Sequence, residues 1–436
     1  LQVTVAFKSL FKFFGAAQRA PGHTVLLALQ AASARDKAML FALESVYTVC
    51  MVALTGLRLE EGFARYLARF LGLSYAEELL RKVQEPPTRY FLRVNTLKVS
   101  SERLVEELRA EGYNVYKHPL VPEAVFLKVE GPFAVREHAG KVFVDYPTAE
   151  SCYVGAHVYA PGVLKVVGAS AGDTVSVHAP DGKVVAEGVL VMEPEEIFGR
   201  RRGKAVEVTL SVYRVASLRD HRVFKEGLIY HQSLPSMVAV RELSPEPGWS
   251  VLDMCASPGG KATHAAQLMQ DEGEVVAVDR SEKKVEAVRE NARRLGLNSL
   301  KTIVYDSRYI SEAVGSNSFD AVILDPPCSA LGVRPKLHYP RSFTDVLRLS
   351  NYQRQFLSEA YKVLRRGGIL LYSTCTISPL ENEWVVIHAA EKIGFEVLKT
   401  KYPGVRRPLL GVPGLLFDPV TNDTPGFFIA LLKKKS

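Results

Sequence analysis

Two cysteines stand in settings that suit covalent chemistry: Cys328 in DPPCSALG and Cys375 in YSTCTISPLENE. Each follows a run that reads as a β-strand, so each lies at a strand's C-terminal end, where open α/β sheets bind their ligands. A single buried cysteine is most often an inert small hydrophobe. Two of them beside a ligand site become candidates for nucleophile chemistry, because the thiolate is the strongest nucleophile a neutral protein carries.

The ligand site is read from the segments between them. VLDMCASPGGKATHAA, Val251 to Ala266, reads as strand, tight turn and helix start. Its loop, Cys255, Ala256, Ser257, Pro258, Gly259, Gly260 and Lys261, uses two glycines to bring backbone close to a ligand. The helix N-terminus beside it offers N–H groups to a carboxylate. The next strand, EVVAVDRS, ends in Asp279, 26 residues beyond Asp253, where a carboxylate accepts from both hydroxyls of a ribose. TIVYDS ends in Asp306, placed to meet an adenine, and AVILDPPC ends in Asp325. Three successive strands closing on aspartate at one sheet edge are poorly explained by capping alone and predict a nucleoside-bearing cofactor. Cys255 is read as packing.

The elements that position these residues alternate strand and helix from VLDMC to YSTCT, which predicts a Rossmann-like α/β domain built on a parallel sheet with helices on both faces. Upstream, residues 140–215 are short β-runs with turns. VSVHA-PDG-KVVAEGVLV reads as a hairpin turning at Asp181-Gly182, and the whole stretch as a small barrel. Residues 60–85 place Phe63, Tyr66, Leu67, Phe70 and Leu71 at helical spacing, a helix or helix pair stopped by Pro86 and Pro87. A strand-like YFLRVNTLKVS follows, then a helix that Ser101 can cap and that ends near Gly112. Residues 38–57 form an apolar run, but Glu44 within it makes a buried helix the better reading than a membrane span.

Composition is that of a globular protein: 436 residues, 47% hydrophobic, 23% charged, net charge +8. The first 110 residues hold 15 basic and 10 acidic side chains, so much of the positive excess lies there, and a polyanionic partner is one reading of it. Five cysteines (Cys50, Cys152, Cys255, Cys328, Cys375) without CxxC spacing exclude a zinc-finger or disulfide framework. They predict a reducing, cytoplasmic setting with no metal.

Taken together, CASPGGK, DPPCSALG and STCTISPLENE resemble the motifs of the Sun-domain (Fmu/Sun, NSUN-type) RNA 5-methylcytosine methyltransferases, and RVNTLK around Asn95 resembles an element upstream of that family's catalytic domain. The resemblance covers most of residues 88–436 and departs at Ser257, where alanine is more usual. It implies S-adenosylmethionine as cofactor, Cys375 as the thiolate that adds to carbon 6 of cytosine, and Cys328 as the group that takes the carbon 5 proton and releases the product. Asp325 would stabilise protonation of the ring nitrogen. Lys261 would support the same pocket, with sugar or phosphate contacts as its alternative.

GAHVYAPGVLKVVGASAGDTVSVHAPDGKVVAEGV is similar to the PUA domain, a small RNA-binding barrel. Residues 145–215 hold 7 basic and 9 acidic side chains, so bulk charge does not argue for RNA there. The run Arg200, Arg201, Arg202 would touch phosphates or form a solvated loop. A PUA barrel inserted ahead of a Sun-type catalytic domain is similar to the paralogue group that methylates the tRNA acceptor stem. The expected division is an N-terminal extension, 1–60; an N-terminal α+β region, 61–138; the barrel, 139–216; and the methyltransferase domain, 217–436. The alternatives are an rRNA cytosine-5 methyltransferase and, from another class, an RNA-binding assembly factor with an inactive methyltransferase fold. No membrane and no obligate protein partner are expected.

Overall fold

The computed structural model describes residues 55–57 and 59–435, so Cys50 and most of the apolar run at 38–57 lie outside the described residues. Two compact units make up the chain, one of residues up to Arg81 with Tyr339–Asp345 and the other of Lys82–His338 with Val346–Ser436. In the first, a helix at Glu61–Leu71 buries Phe63, Ala64, Tyr66 and Leu67, the one-sided stripe of an amphipathic helix. The Glu60 side chain caps it by accepting from the Gly62 and Phe63 N–H groups. Gly72, at φ 83°, breaks the run before a second helix at Leu73–Lys82. Phe70, expected on the buried stripe, sits in the last turn before that break and is 37% exposed.

The larger unit opens with β1 (Arg89–Val94), β2 (Val115–Lys117) and β3 (Ala124–Lys128), and a helix at Ser101–Ala110. Ser100, not Ser101, caps that helix, its hydroxyl accepting from the Arg103 N–H at 3.2 Å. Ser101 faces inward with Leu104, Val105 and Leu108 and donates to the Pro122 carbonyl instead. Two adjacent serines offered the cap, and burial of the second decided between them.

A six-stranded sheet follows: β4 (Gly140–Val144), β5 (Val158–Tyr159), β6 (Val163–Val167), β7 (Thr174–His178), β8 (Val184–Leu190) and β9 (Lys204–Ser211), in the order β5-β9-β8-β7-β4-β6. It closes on its own core, with Val142, Val163, Val177, Ala186 and Val206 buried together. β7 and β8 form the expected hairpin. In its turn Gly182 takes the positive φ (91°), which an unbranched backbone adopts without steric cost. The chain then returns to the first sheet as β10 (Ile229–His231), which pairs with β1 and gives the order β10-β1-β3-β2.

The remaining strands are β11 (Ser250–Asp253), β12 (Glu274–Asp279), β13 (Leu300–Val304), β14 (Phe319–Leu324), β15 (Leu364–Thr374), β16 (Phe395–Leu398), β17 (Leu415–Phe417) and β18 (Phe427–Lys434). β13-β12-β11-β14-β15 are parallel, but β18 runs antiparallel to β15 and carries β16 and β17. The sheet is therefore mixed rather than wholly parallel. An all-apolar strand such as FFIALL is buried on both faces, and its composition does not encode its direction. Phe91 and Ala124 of the first sheet join Met237, Ala262, Val275 and Ile323 in one hydrophobic core, so the first sheet and the eight-stranded sheet are packed as a single body. Among the described residues no helix is long and apolar enough to cross a membrane.

Candidate active site

Because β13, β12, β11, β14 and β15 are parallel neighbours, their C-terminal ends form one edge. Along it stand Asp306, Asp279, Asp253, Asp325 and Cys375, each at a strand end or within two residues of it. A cavity of about 290 Å³ opens there, with Asp279, Asp306 and Asp325 in its wall together with Tyr352, Cys328 and Cys375. A second cavity, of about 240 Å³, is lined by Tyr230, Gln232, Lys261, Asp325 and Phe427. Cys255, Ser257 and Asp325 line both, so the glycine loop and the Asp325 carboxylate form the partition.

The two thiols meet. Cys328 Sγ lies 3.1 Å from Cys375 Sγ, although 47 residues separate them in sequence. The Cys328 thiol is pushed well above its ordinary range, first by its hydrogen bond to Cys375 and then by burial. Either sulfur can donate in this contact, and two thiols this close do not both ionise. Cys255 is also held protonated, by burial and then by the Asp253 charge, which keeps it unreactive.

Lys261 projects from the first turn of the helix at Gly260–Leu268, and its Nζ donates to Asp325 Oδ2 at 2.5 Å. Burial alone would lower the pKa of Lys261, but the Asp325 carboxylate outweighs it and holds the ammonium charged. Asp325 Oδ1 accepts from the Ser373 hydroxyl at 3.1 Å, and Lys261 Nζ also lies 5.2 Å from the centroid of the Phe427 ring. Behind them Asp253 is 1% exposed, and burial raises its pKa to about 7 against the attraction of Lys261.

The glycines play unequal parts. Gly259, at φ 107°, caps the helix and spends its own N–H on the Ala256 carbonyl at 2.7 Å. Gly260, Ala256 and Pro258 line the Lys261 cavity. Asp279 takes the Ser281 N–H at 3.3 Å and has Lys284 Nζ 3.6 Å away. Asp306 is gripped by Arg308, whose Nη2 lies 2.6 Å from Oδ2 and whose hydrogen bonds hold the carboxylate below its usual range. A ligand at Asp306 would share that carboxylate with Arg308.

Residues without a chemical signature in the sequence complete the site. Arg93, 1% exposed, reaches from β1 to the Gly260 carbonyl (2.7 Å), the Thr263 hydroxyl (2.8 Å) and Gln232 (2.6 Å). It braces the start of the Lys261 helix. RVNTLK contains it, but nothing in that motif points to its partners. Phe427, Gln353 and Glu381 likewise carry no chemical signature, although Glu381 lies within STCTISPLENE. On the barrel, Arg201 is tied to the Val163 and Pro161 carbonyls at 3.0 and 2.8 Å and Arg200 to Glu196, so the arginine run is partly structural.

The carboxylate row suits the hydroxyl and amine donors of a nucleoside, and Tyr352, Phe356 and Pro326 supply apolar faces for its base in the same cavity. The residues present fit S-adenosylmethionine, and fold and site together define a methyltransferase that uses it. Profiles described as 16S rRNA methyltransferase RsmB/F, PUA domain, and RsmF/B-like ferredoxin-like domain match residues 240–433, 140–210 and 65–134. The last gives a specific form to the expected α+β region. The chain is 39% identical over 379 residues to the tRNA (cytosine(72)-C(5))-methyltransferase of Pyrococcus horikoshii, covering 85% of this chain and 95% of that protein. With tRNA (cytosine(72)-C(5))-methyltransferase NSUN6 of Homo sapiens the identity is 32% over 390 residues, covering 80% and 82%. The crystal structure of NSun6 from Pyrococcus horikoshii with SFG matches at a TM-score of 0.80, covering 85% of this chain and 97% of that one. The chain belongs to the Sun-domain, RsmB/F-type family of RNA methyltransferases.

Proposed function

We propose that the protein methylates carbon 5 of a cytosine near the acceptor end of tRNA, acting in the cytoplasm without an obligate protein partner. The observation that carries this reading is the pair of thiols 3.1 Å apart at the rim of the strand-end cavity. Carbon 5 of cytosine is too weak a nucleophile to attack a sulfonium methyl group. A Cys375 thiolate adding to carbon 6 makes carbon 5 enamine-like. S-adenosylmethionine, when bound, supplies the electrophilic methyl group; Cys255–Lys261, Asp279, Asp306 and Asp325 are the residues that would hold it.

Within the same site Asp325, paired with Lys261, stabilises a proton on the ring nitrogen. The two sulfurs share one hydrogen bond in the resting pair, and the resemblance to the family assigns the attack to Cys375. Once its sulfur is bonded to carbon, it is a far poorer partner for Cys328. The largest cause of the raised Cys328 pKa, its hydrogen bond to Cys375, is then weakened, which favours loss of the Cys328 thiol proton to solvent before it serves as the base. Neither carbon 5 nor carbon 6 is open to attack inside a stacked duplex, so the cytosine must be extruded.

The tRNA assignment draws on the relatives named above and on the barrel, whose Tyr159, Leu164 and Phe198 are 56%, 53% and 43% exposed, apolar faces available for unpaired bases. In this reading the N-terminal extension ends near residue 60, the α+β region near 138 and the barrel near 216. Replacing residues 140–211 with a short linker is expected to weaken tRNA binding by about tenfold or more, as loss of one of two linked sites does. S-adenosylmethionine affinity should stay unchanged. Equal tRNA affinity in a folded variant would remove the barrel from substrate capture. Asp279→Ala is expected to cost S-adenosylmethionine binding about 1.5–3 kcal/mol, because two hydroxyls lose a charged acceptor. An unaltered calorimetric Kd would take Asp279 out of the site.

A second reading keeps the chemistry and changes the substrate to ribosomal RNA, favoured by the description of the profile that matches residues 240–433. Incubation with labelled S-adenosylmethionine and total RNA, followed by sequencing of the labelled species, separates the two. Label in tRNA acceptor stems supports the first, label in rRNA alone the second, and no label the inactive-fold alternative. The presence of both thiols and of Asp279, Asp306 and Asp325 opposes that last reading.

A further inference from the structure

The loop that carries Cys328 begins with Pro326 and Pro327, which bring no N–H groups to anchor it. It is pinned instead on either side of the cysteine. The Gln353 side-chain amide donates to the Pro327 carbonyl at 3.0 Å, and the Ser329 N–H donates to Glu381 Oε1 at 2.7 Å. The same Gln353 amide also donates to Glu381 Oε1 at 3.1 Å, which joins the two anchors. Gln353 and Glu381 are both fully buried. The Tyr372 hydroxyl donates to the Glu381 carbonyl at 2.6 Å and lies 3.3 Å from Gln353 Oε1, so the anchors are themselves fixed. The Cys375 loop is tied to the same frame: Ser329 Oγ lies 2.8 Å from Thr376 Oγ1, and the Gly332 N–H donates to the Cys375 carbonyl at 3.0 Å.

We propose that Gln353 and Glu381 are positioning residues that clamp the backbone on both sides of Cys328 and thereby set the rate of product release rather than of methyl transfer. This rests on the reading of Cys328 as the release base. In that step Cys328, which has first given its own thiol proton to solvent, takes the proton from carbon 5 as the thiolate. The C5–H electron pair becomes the C5–C6 double bond, and the C6–S pair departs with Cys375 as thiolate. Methyl transfer precedes it and needs Cys375 and the cofactor; the clamp reaches Cys375 only through Ser329 and Thr376 and the cavity wall only through the Pro327 backbone. A base displaced by a fraction of an ångström loses much of its rate, so loosening the clamp should leave the covalent enzyme–RNA adduct standing.

The test uses full-length Glu381→Ala, Gln353→Ala and Glu381→Gln, with Cys328→Ala as reference and, as probe, an unmodified tRNA transcript that the wild-type protein methylates. Both alanine variants are expected to bind S-adenosylmethionine normally and to methylate in a single turnover within about threefold of wild type. Their multiple-turnover rate should fall by roughly tenfold or more, with an adduct on denaturing gels as in Cys328→Ala. Glu381→Gln, which keeps an oxygen facing the Ser329 N–H, should restore release. If Cys328→Ala accumulates adduct while the alanine variants slow both steps equally, turn over normally or lose cofactor binding, the clamp is overturned and the two-cysteine reading stands. If Cys328→Ala itself forms no adduct, both fall.

Discussion

Cys375→Ala is expected to reduce methyl transfer by on the order of 10⁴-fold or more while leaving the S-adenosylmethionine Kd within about twofold of wild type. The size follows from the role. Without a thiolate on carbon 6 there is no enamine at carbon 5, and nothing else in the site replaces it. Cys328 lies 3.1 Å away, but its loop is fixed by Gln353 and Glu381, so it does not move into the vacated place. The unchanged Kd follows from the other residues of the cavity: Asp279, Asp306 and the Cys255–Lys261 loop stand on strands and turns that the substitution does not disturb. Rate and affinity are separable by single-turnover transfer of labelled methyl to tRNA and by calorimetry. Turnover within tenfold of wild type would remove Cys375 as the nucleophile.

The parts of this site that were legible in the sequence are local ones. A strand, a glycine-bearing turn and a helix start announce the Cys255–Lys261 loop within sixteen residues, and an aspartate at a strand end needs no partner to be noticed. The hairpin at Gly182 was legible for the same reason, since a turn residue and flanking valines are contiguous. What was hidden is long-range. Gln353 sits in the middle of the helix Phe343–Val363 and reads as an ordinary helix former. Its function comes from the Pro327 carbonyl, 26 residues away in sequence. Arg93 acts on Gly260, 167 residues on, because β10 carries the chain back to the first sheet after the barrel. Asp306 reads as a free carboxylate until Arg308 folds back onto it. The antiparallel course of β18 is set by its pairing with β15, which an apolar run does not specify.

Cys328→Ala carries the second large effect. After methyl transfer the base bears a proton on carbon 5, and until it leaves the C6–S bond cannot break. Removing Cys328 therefore stalls the reaction after methyl transfer, so the variant should consume one equivalent of methyl donor and then stop. A cysteine that only filled space would act differently. Its loss would cost stability, or lower the rate of every step together, with no covalent species. Mixing Cys328→Ala protein with S-adenosylmethionine and tRNA and reading the product on a denaturing gel tests the two-cysteine chemistry most directly. The account predicts a protein–RNA adduct that requires S-adenosylmethionine and is absent from the Cys328→Ala/Cys375→Ala double variant; a folded, cofactor-binding Cys328→Ala protein that turns over at the wild-type rate without any adduct would contradict it.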